Sequence, residues 1–295
     1  MQDFYKPLSE RTPDTQYQDR LRFILEHGEL LSETPQDVGA ITCFDTLPQM
    51  VFDLANGVPL ITERDCSKFW RKAVAEIIAF INGARTIDDI ESYGCDFWKD
   101  YRRKGTKLGL APDDLGPGSY GAAFHDFPMP DGGTFNQFAN VIEQIRSYPN
   151  MRSFRIHPWV PYYAVRGPGR KVVVTPCHGW LHFRVMNGRL NMGMRQYSAD
   201  MPIGVPSNMI QYAALLLMMA QVTGYQPGKF SHSFSDAHIY ENQVEKVREL
   251  IERKPRPFPI LRVDPSITDL FAFRVEHFEI EEYDPHKGMK IPYAP

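Results

Sequence analysis

The sequence predicts a single α/β domain. Three observations carry this. Ser67–Asn82 is strongly amphipathic, with Phe69, Ala73, Ile77, Phe80 and Ile81 on one stripe. Ser207–Thr223 is apolar on nearly every face, which marks a helix buried all round. From Phe154 onward the period shifts toward two, clearest in Trp180–Val185 and Arg189–Tyr197, which flank the type I′ turn signal Asn187-Gly188. The two periods interleave without a composition break, so one domain spans residues 1–295, with 1–16 expected as a flexible N-terminal arm.

The remaining elements follow in order. Tyr17–Leu31 repeats Leu21, Ile24, Leu25, Leu30 and Leu31 at helical spacing. Ala40–Phe44 and Met50–Leu54 read as short strands around a turn. In the Ser67–Asn82 helix, Ser67 is a candidate cap and Gly83 a stop. Arg102–Gly133 is rich in Gly, Pro and Asp and reads mostly as loop. Phe135–Arg146 reads as a helix, Lys171–Val174 as an apolar strand, and Phe271–Ile280 as another alternating strand.

Composition excludes several classes. Hydrophobic content is 43% and charged content 23%, ordinary for a globular protein and unlike a disordered chain. The chain carries 33 basic and 36 acidic residues, net −3, without a block of like charge, which argues against a nucleic-acid partner. The longest apolar run, Ala213–Ala220, is far short of a membrane span, and MQDFYKPLSE has no apolar signal core. Cys43, Cys66, Cys95 and Cys177 lie far apart, so neither a disulfide framework nor a metal site is expected, and free thiols suit the cytoplasm.

A few residues stand out chemically. Cys177, in Thr175-Pro176-Cys177-His178, follows the Lys171–Val174 segment. A cysteine held at such a turn, with a histidine and arginines near, suits a nucleophilic thiolate; a half-buried structural thiol fits the tetrapeptide as well. Glu76 puts a carboxylate on an apolar helix face, as a general acid/base with a raised pKa or as one end of a salt bridge. Gly116-Pro117-Gly118-Ser119-Tyr120-Gly121 matches G-x-G-x-x-G, but no strand precedes it, so a glycine-rich loop is the reading. Asn208 opens the buried helix as a cap or as a reader of a planar base edge. His238 and Tyr240 are either packed polar-tipped rings or partners for sugar hydroxyls.

Together these pieces resemble the thymidylate synthase family, from about Tyr17 to the C-terminus. The shared motifs are Pro-Cys-His at Pro176–His178, the strand Gln196-Tyr197-Ser198-Ala199-Asp200, the stretch Gly204-Val205-Pro206-Ser207-Asn208, and Ser235-Asp236-Ala237-His238-Ile239-Tyr240. The tail with Tyr283-Asp284-Pro285-His286 is also similar. The resemblance implies a thymidylate-synthase-like fold, a mixed β-sheet packed with helices around a long buried central helix. It implies one-carbon transfer from 5,10-methylenetetrahydrofolate to C5 of a pyrimidine nucleotide, without a metal. Cys177 and His178 match the nucleophile motif, Glu76 the proton-relaying glutamate, and Tyr120 and Trp98 aromatic neighbours of the cysteine and folate. Asp200, with Ile203 and Gly204, falls on the folate side. Gln196 and Asn208 fall on the base, and His238 and Tyr240 on the sugar. Family members are homodimers that share the phosphate site.

The departures bear on the substrate. The family grips phosphate with several arginines and a serine, of which Arg152 and Ser198 are present here. Tyr197, Ser153 and Pro35 stand where other arginines would be. A dianion so held is weakly bound. Arg195, on the same strand face as Tyr197, is expected to compensate, with Arg155 a further candidate; otherwise the phosphate is absent or differently placed. Ser207 replaces an aromatic residue, and Glu63 a lysine of the folate-tail surface. These changes favour a specialised relative that makes a 5-hydroxymethyl pyrimidine nucleotide, with thymidylate synthesis and cytidylate hydroxymethylation as alternatives. Asn208 tilts toward uracil, because cytidylate hydroxymethylases commonly carry Asp there. A non-catalytic nucleotide-binding protein on the same fold is the contrasting class.

Overall fold

The computed structural model describes residues 4–294. Helix α1 covers Gln16–His27 and ends at Gly28; Glu29–Leu31, expected as helix, form the edge strand β1 instead. Strands β2 (Ala40–Phe44) and β3 (Met50–Asp53) follow, then helix α2 (Trp70–Ile81). Helix α3 (Ile87–Ser92) opens on a capping box in which Thr86 and Asp89 bond each other's backbone N–H. Helix α4 is Tyr120–His125, and the short strands β4 (Phe127–Pro128) and β5 (Thr134–Phe135) form a hairpin. Helix α5 is Gln137–Ser147, strand β6 Arg155–Ile156 and helix α6 Pro161–Ala164. Then come β7 (Trp180–Met186), β8 (Arg189–Asp200), α7 (Gly204–Thr223), β9 (Gln226–Tyr240) and α8 (Val244–Ile251). Strands β10 (Ile260–Val263) and β11 (Phe278–Glu281) close the chain as an antiparallel pair.

The main sheet runs β1-β2-β9-β8-β7-β6, with β3 also paired to β9. It is mixed because α7 carries the chain from the end of β8 back to the start of β9, and such a crossover makes the two strands parallel. The other pairings in this sheet are antiparallel. The β7–β8 turn has Asn187 at φ 49° and Gly188 at φ 73°, the left-handed pair that a two-residue hairpin demands.

Alternation along the strands makes two unlike faces. Leu181 and Phe183, Leu190, Met192 and Met194, and Phe230 and Phe234 are buried on one face. Trp180, His182, Arg184, Arg195 and Tyr197 occupy the alternate positions, and Tyr197 is 44% exposed. Helix α7 packs on β8 and β9 on one side and on α2 and α5 on the other, so it has no wet face. That is why its sequence lacks a polar stripe.

Several expectations are corrected. Strands β2 and β3 do not pair around a turn; each pairs with β9. Ser67 caps nothing, since α2 begins after Phe69 and has no side-chain cap. Lys171–Val174 is not a strand: Gly118 N–H donates to the Lys171 carbonyl (3.3 Å) and Val173 N–H to the Leu115 carbonyl (3.0 Å), so the glycine-rich loop takes these bonds. Phe271–Ile280 forms two 3₁₀ turns, Leu270–Ala272 and Val275–His277, before the short β11. The N-terminal segment, expected as a flexible arm, is fastened where described. Tyr5 Oη donates to the Leu261 carbonyl (3.0 Å), and Arg11 is buried, donating to the Phe258 carbonyl (2.7 Å) and pairing with Glu282.

Gly121 matters because α4 presses on the end of α2. A Cβ at Gly121 would lie 2.0 Å from the Ala84 carbonyl oxygen, a backbone atom that cannot swing aside. Gly121→Ala is expected to destabilise the fold by about 1–3 kcal/mol, the scale of an overpacked core. Gly193→Ala, at ordinary φ with nothing within 4 Å of the added Cβ, serves as the control for a glycine-to-alanine change without crowding. Thermal unfolding of the two variants checks this; equal midpoints would refute the crowding at Ala84.

Candidate active site

Cys177 sits on irregular backbone just before β7, with hydrogen bonds on both sides of it. Its N–H donates to Tyr120 Oη (2.6 Å), and its carbonyl accepts from Tyr197 N–H (2.6 Å). The residue that β8 presents and the phenol that α4 presents thus fix its position. Cys43, Cys66 and Cys95 are buried, whereas Cys177 is partly open. Burial pushes the Cys177 thiol up, and the hydroxyls of Tyr120 and Ser198 pull it back.

His178 does not act as a charged neighbour of the thiol. It is buried, and desolvation pushes its pKa down to about 3, so the ring is neutral. Its Nδ1 bonds Tyr212 Oη (2.6 Å) on α7, and its ring stacks on Tyr120 at 4.5 Å. Tyr120 is in turn stacked on Phe80 at 4.8 Å. His178 therefore aligns the phenol that holds the Cys177 backbone.

Glu76 lies in the α2–α7 interface, 7% exposed. Trp98 Nε1–H donates to one carboxylate oxygen (2.7 Å) and Gln211 Nε2–H to the other (2.8 Å). No salt bridge is needed: the two donors satisfy it, and desolvation still raises it to about 7. Asn208 Nδ2 donates to Gln211 Oε1 (3.0 Å), and Asn208 Oδ1 accepts from Gln196 Nε2 (3.1 Å). Gln196 Oε1 meets His232 Nε2 (2.8 Å). A file of side chains thus runs from the indole of Trp98 to the buried ring of His232. Gln211 and His232 were missed in the sequence. Gln211 carries a readable signal, since it lies three residues after Asn208 on the same face of an otherwise apolar helix.

Asp200 ends β8. It accepts from Ile203 N–H (3.2 Å) and from Gln243 Nε2 (3.3 Å), and burial raises its pKa. Gln243, also unforeseen, donates to the Pro292 carbonyl (3.1 Å) and so ties the C-terminal segment to Asp200. Gly204 is the first residue of α7, directly after Ile203.

Ser198, His238 and Tyr240 line one cleft with Thr42, Asp236 and the loop residues Glu33 and Pro35. His238 Nδ1 bonds Asp236 (2.9 Å). Neither Arg152 nor Arg195 lines that cleft among the described residues. Arg195 is on the opposite face of the sheet from Gln196, ion-paired with Asp45 and lying over the Tyr197 ring at 5.3 Å. Arg152 is exposed near the edge strand β6, its carbonyl accepting from His182 Nε2 (2.9 Å). Glu63, expected on a folate-tail surface, is 1% exposed and accepts from Thr62 N–H (2.8 Å).

A family profile for thymidylate synthase matches residues 15–295. The chain belongs to the thymidylate synthase family. A thymidylate synthase-type fold places the protein among folate-dependent one-carbon transferases that act on C5 of a pyrimidine nucleotide. Tyr120, which accepts from the Cys177 N–H, lies against Trp98 with ring centroids 6.2 Å apart, and Trp98 donates to Glu76, so the surroundings of Cys177 and of Glu76 adjoin through two aromatic rings. Among the described residues no helix is long and apolar enough to cross a membrane, and no cluster of metal-ligating side chains occurs.

Burial raises Glu63 to about 7 from the 4.5 of an exposed glutamate, so the folded chain binds this proton more tightly than the unfolded one. The contribution to stability is therefore fully present below pH 4.5 and is lost as pH rises through about 7. Glu76 shifts in the same direction. Urea midpoints of the parent are expected to fall between about pH 5 and about pH 8, and those of Glu63→Gln to fall less. Parallel pH curves for the two proteins would show that Glu63 ionises freely.

Proposed function

We propose that this protein is a pyrimidine nucleotide C5 hydroxymethylase using 5,10-methylenetetrahydrofolate. The observation that carries the catalytic part is the file Glu76–Gln211–Asn208–Gln196, together with Cys177, whose backbone is held by Tyr197, the residue next to Gln196, and by Tyr120, which lies against the Trp98 ring that donates to Glu76. Asn208 orients the base, His238 and Tyr240 meet the sugar, and the Cys177 thiolate adds to C6. That addition gives C5 enolate character, and C5 attacks the one-carbon unit that the folate supplies. Glu76, near 7 and held by two donors, is matched to taking up and returning a proton at neutral pH. Asp200, Ile203 and Gly204 form the folate side together with Trp98.

Ser207, half-buried in the first turn of α7 beside Asn208, supports the hydroxymethyl product. A hydroxyl there keeps water near the exocyclic methylene, where a bulky ring would exclude it. The buried position of Glu63 removes it from this argument. Reductive methylation to the 5-methyl nucleotide is the second reading. It is favoured by Trp98, only 8% exposed, whose indole shelters the Glu76 side of the pocket.

The outward sheet face, with Tyr197 and Met186 exposed, supports a homodimer, and a second copy would bring Arg152 to the phosphate that Ser198 meets. Four unpaired thiols fit a reducing cytoplasm.

Cys177→Ala is expected to abolish turnover and the covalent adduct with a 5-fluoropyrimidine nucleotide and methylenetetrahydrofolate, read by intact mass. Glu76→Gln is expected to lower kcat by roughly 10²-fold. Normal turnover in Cys177→Ala would remove Cys177 as the nucleophile, whereas absence of the adduct in the parent with every nucleotide would favour a binding protein on the same fold.

The product is checked by the fate of the folate. Hydroxymethylation leaves tetrahydrofolate, whereas methylation oxidises it to dihydrofolate. Product formation without a dihydrofolate absorbance rise is expected; a stoichiometric rise would establish the methylating reading instead.

A further inference from the structure

The side-chain file through the site has a direction, set at the Ser198 end by a group without a choice. Trp98 Nε1 can only donate, and it donates to Glu76 Oε1 (2.7 Å). The Ser198 backbone carbonyl can only accept, and it takes a hydrogen bond from Gln196 Nε2 (3.0 Å). The Gln196 amino group therefore faces Asn208, and Asn208 must turn its oxygen there (3.1 Å). From the other end, the Glu76 carboxylate takes the Gln211 amino group (2.8 Å), which leaves Gln211 Oε1 to accept from Asn208 Nδ2 (3.0 Å). His232 closes the file by donating from Nε2 to Gln196 Oε1 (2.8 Å), while its buried Nδ1 has no partner.

Asn208 is thus held from both sides with its two ends distinguished. An amide offers two acceptor lone pairs and two N–H donors. One of each is used by Gln196 and Gln211, and one of each is left over. Rotating Gln211 would set its oxygen against the Glu76 carboxylate and its amino group against that of Asn208. Gln211 is fully buried and Asn208 5% exposed, so no water dilutes these repulsions.

Resting on the reading of Asn208 as the base-contacting amide, we propose that Gln211 is a specificity-determining positioning residue. It joins the Glu76 carboxylate to Asn208 and locks Asn208 with an acceptor for N3–H and a donor for the 4-oxo group of a uracil-type base. A cytosine-type base presents a bare N3 and a 4-amino group, the opposite pattern, and meets an amide that cannot turn. The same contact makes the proton-relaying carboxylate and the base reader one unit.

The test is equilibrium binding of uridine- and cytidine-type monophosphates, ribose and deoxyribose forms, to the full chain and two variants. Gln211→Met keeps length but removes both polar ends, leaving Asn208 restrained from the Gln196 side alone and its Nδ2 without a buried acceptor. Its preference for the uracil nucleotide is expected to shrink roughly tenfold or more, the scale of one buried hydrogen bond. Gln211→Glu still accepts from Asn208 and can hold its proton toward Glu76, so the preference is expected to survive while kcat falls. A merely space-filling Gln211 would not separate the variants in this way. An unchanged preference in Gln211→Met, a lost one in Gln211→Glu, or a parent that prefers the cytosine nucleotide would each overturn the proposal. If Gln211→Met does not fold, Gln211→Glu decides alone. Loss of the fluoropyrimidine adduct in the parent would strike the catalytic reading instead, and the binding ratio would still judge the lock.

Discussion

A carboxylate pressed between two apolar helices must find donors or give up its charge. Glu76 meets that constraint at the α2–α7 contact, and much of the site is arranged by how it does so. Trp98 brings its indole to one oxygen from the loop after α3, and Gln211 brings an amide to the other from the middle of α7. Each donor then has a second obligation. The indole packs against Phe80 and Tyr120, and the amide must pass its polarity on to Asn208. Polar satisfaction inside a core does not stop at a pair; it spreads until it reaches backbone or water.

Cys177 is placed by a different means. It belongs to no helix or strand, and two hydrogen bonds to its own backbone hold it. Tyr120 supplies one of them, and Tyr120 is itself stacked between Phe80 and a neutral His178. The histidine beside the thiol thus contributes through packing and alignment rather than charge. Cys177 stands on a column of rings, with the Tyr120 phenol as the polar contact that the column offers it.

The fold class and the central helix were legible because burial leaves a periodic trace, and Ser207–Thr223 could only be a helix wrapped on all sides. The turn at Asn187-Gly188 was legible because few residues accept its backbone. The errors have physical causes. Lys171–Val174 is apolar enough for a strand, but the glycine-rich loop reaches its backbone before the sheet does. Phe271–Ile280 alternates by side chain, yet 3₁₀ turns occupy most of it, and alternation alone does not distinguish the two. Cys177, Glu76 and Asn208 were legible as residue types in motifs. Gln211, Gln243 and His232 were not, because a buried glutamine reports nothing until its partners are known. Arg195 shows the opposite failure: the spacing puts it on the face of Tyr197, but the sequence does not reveal that Asp45 has already engaged it.

The β8 strand has a further property that follows from its alternation. Gln196 turns inward to the Asn208 amide, while its neighbours Arg195 and Tyr197 turn outward to the open face. The buried side-chain file and the outer surface are therefore separated by one layer of backbone. A molecule settling on the outer face would lean on the same peptide units that aim Gln196. The aim of Gln196 and association on that face would then share a mechanical link without any hinge, lid or travelling conformational change between them.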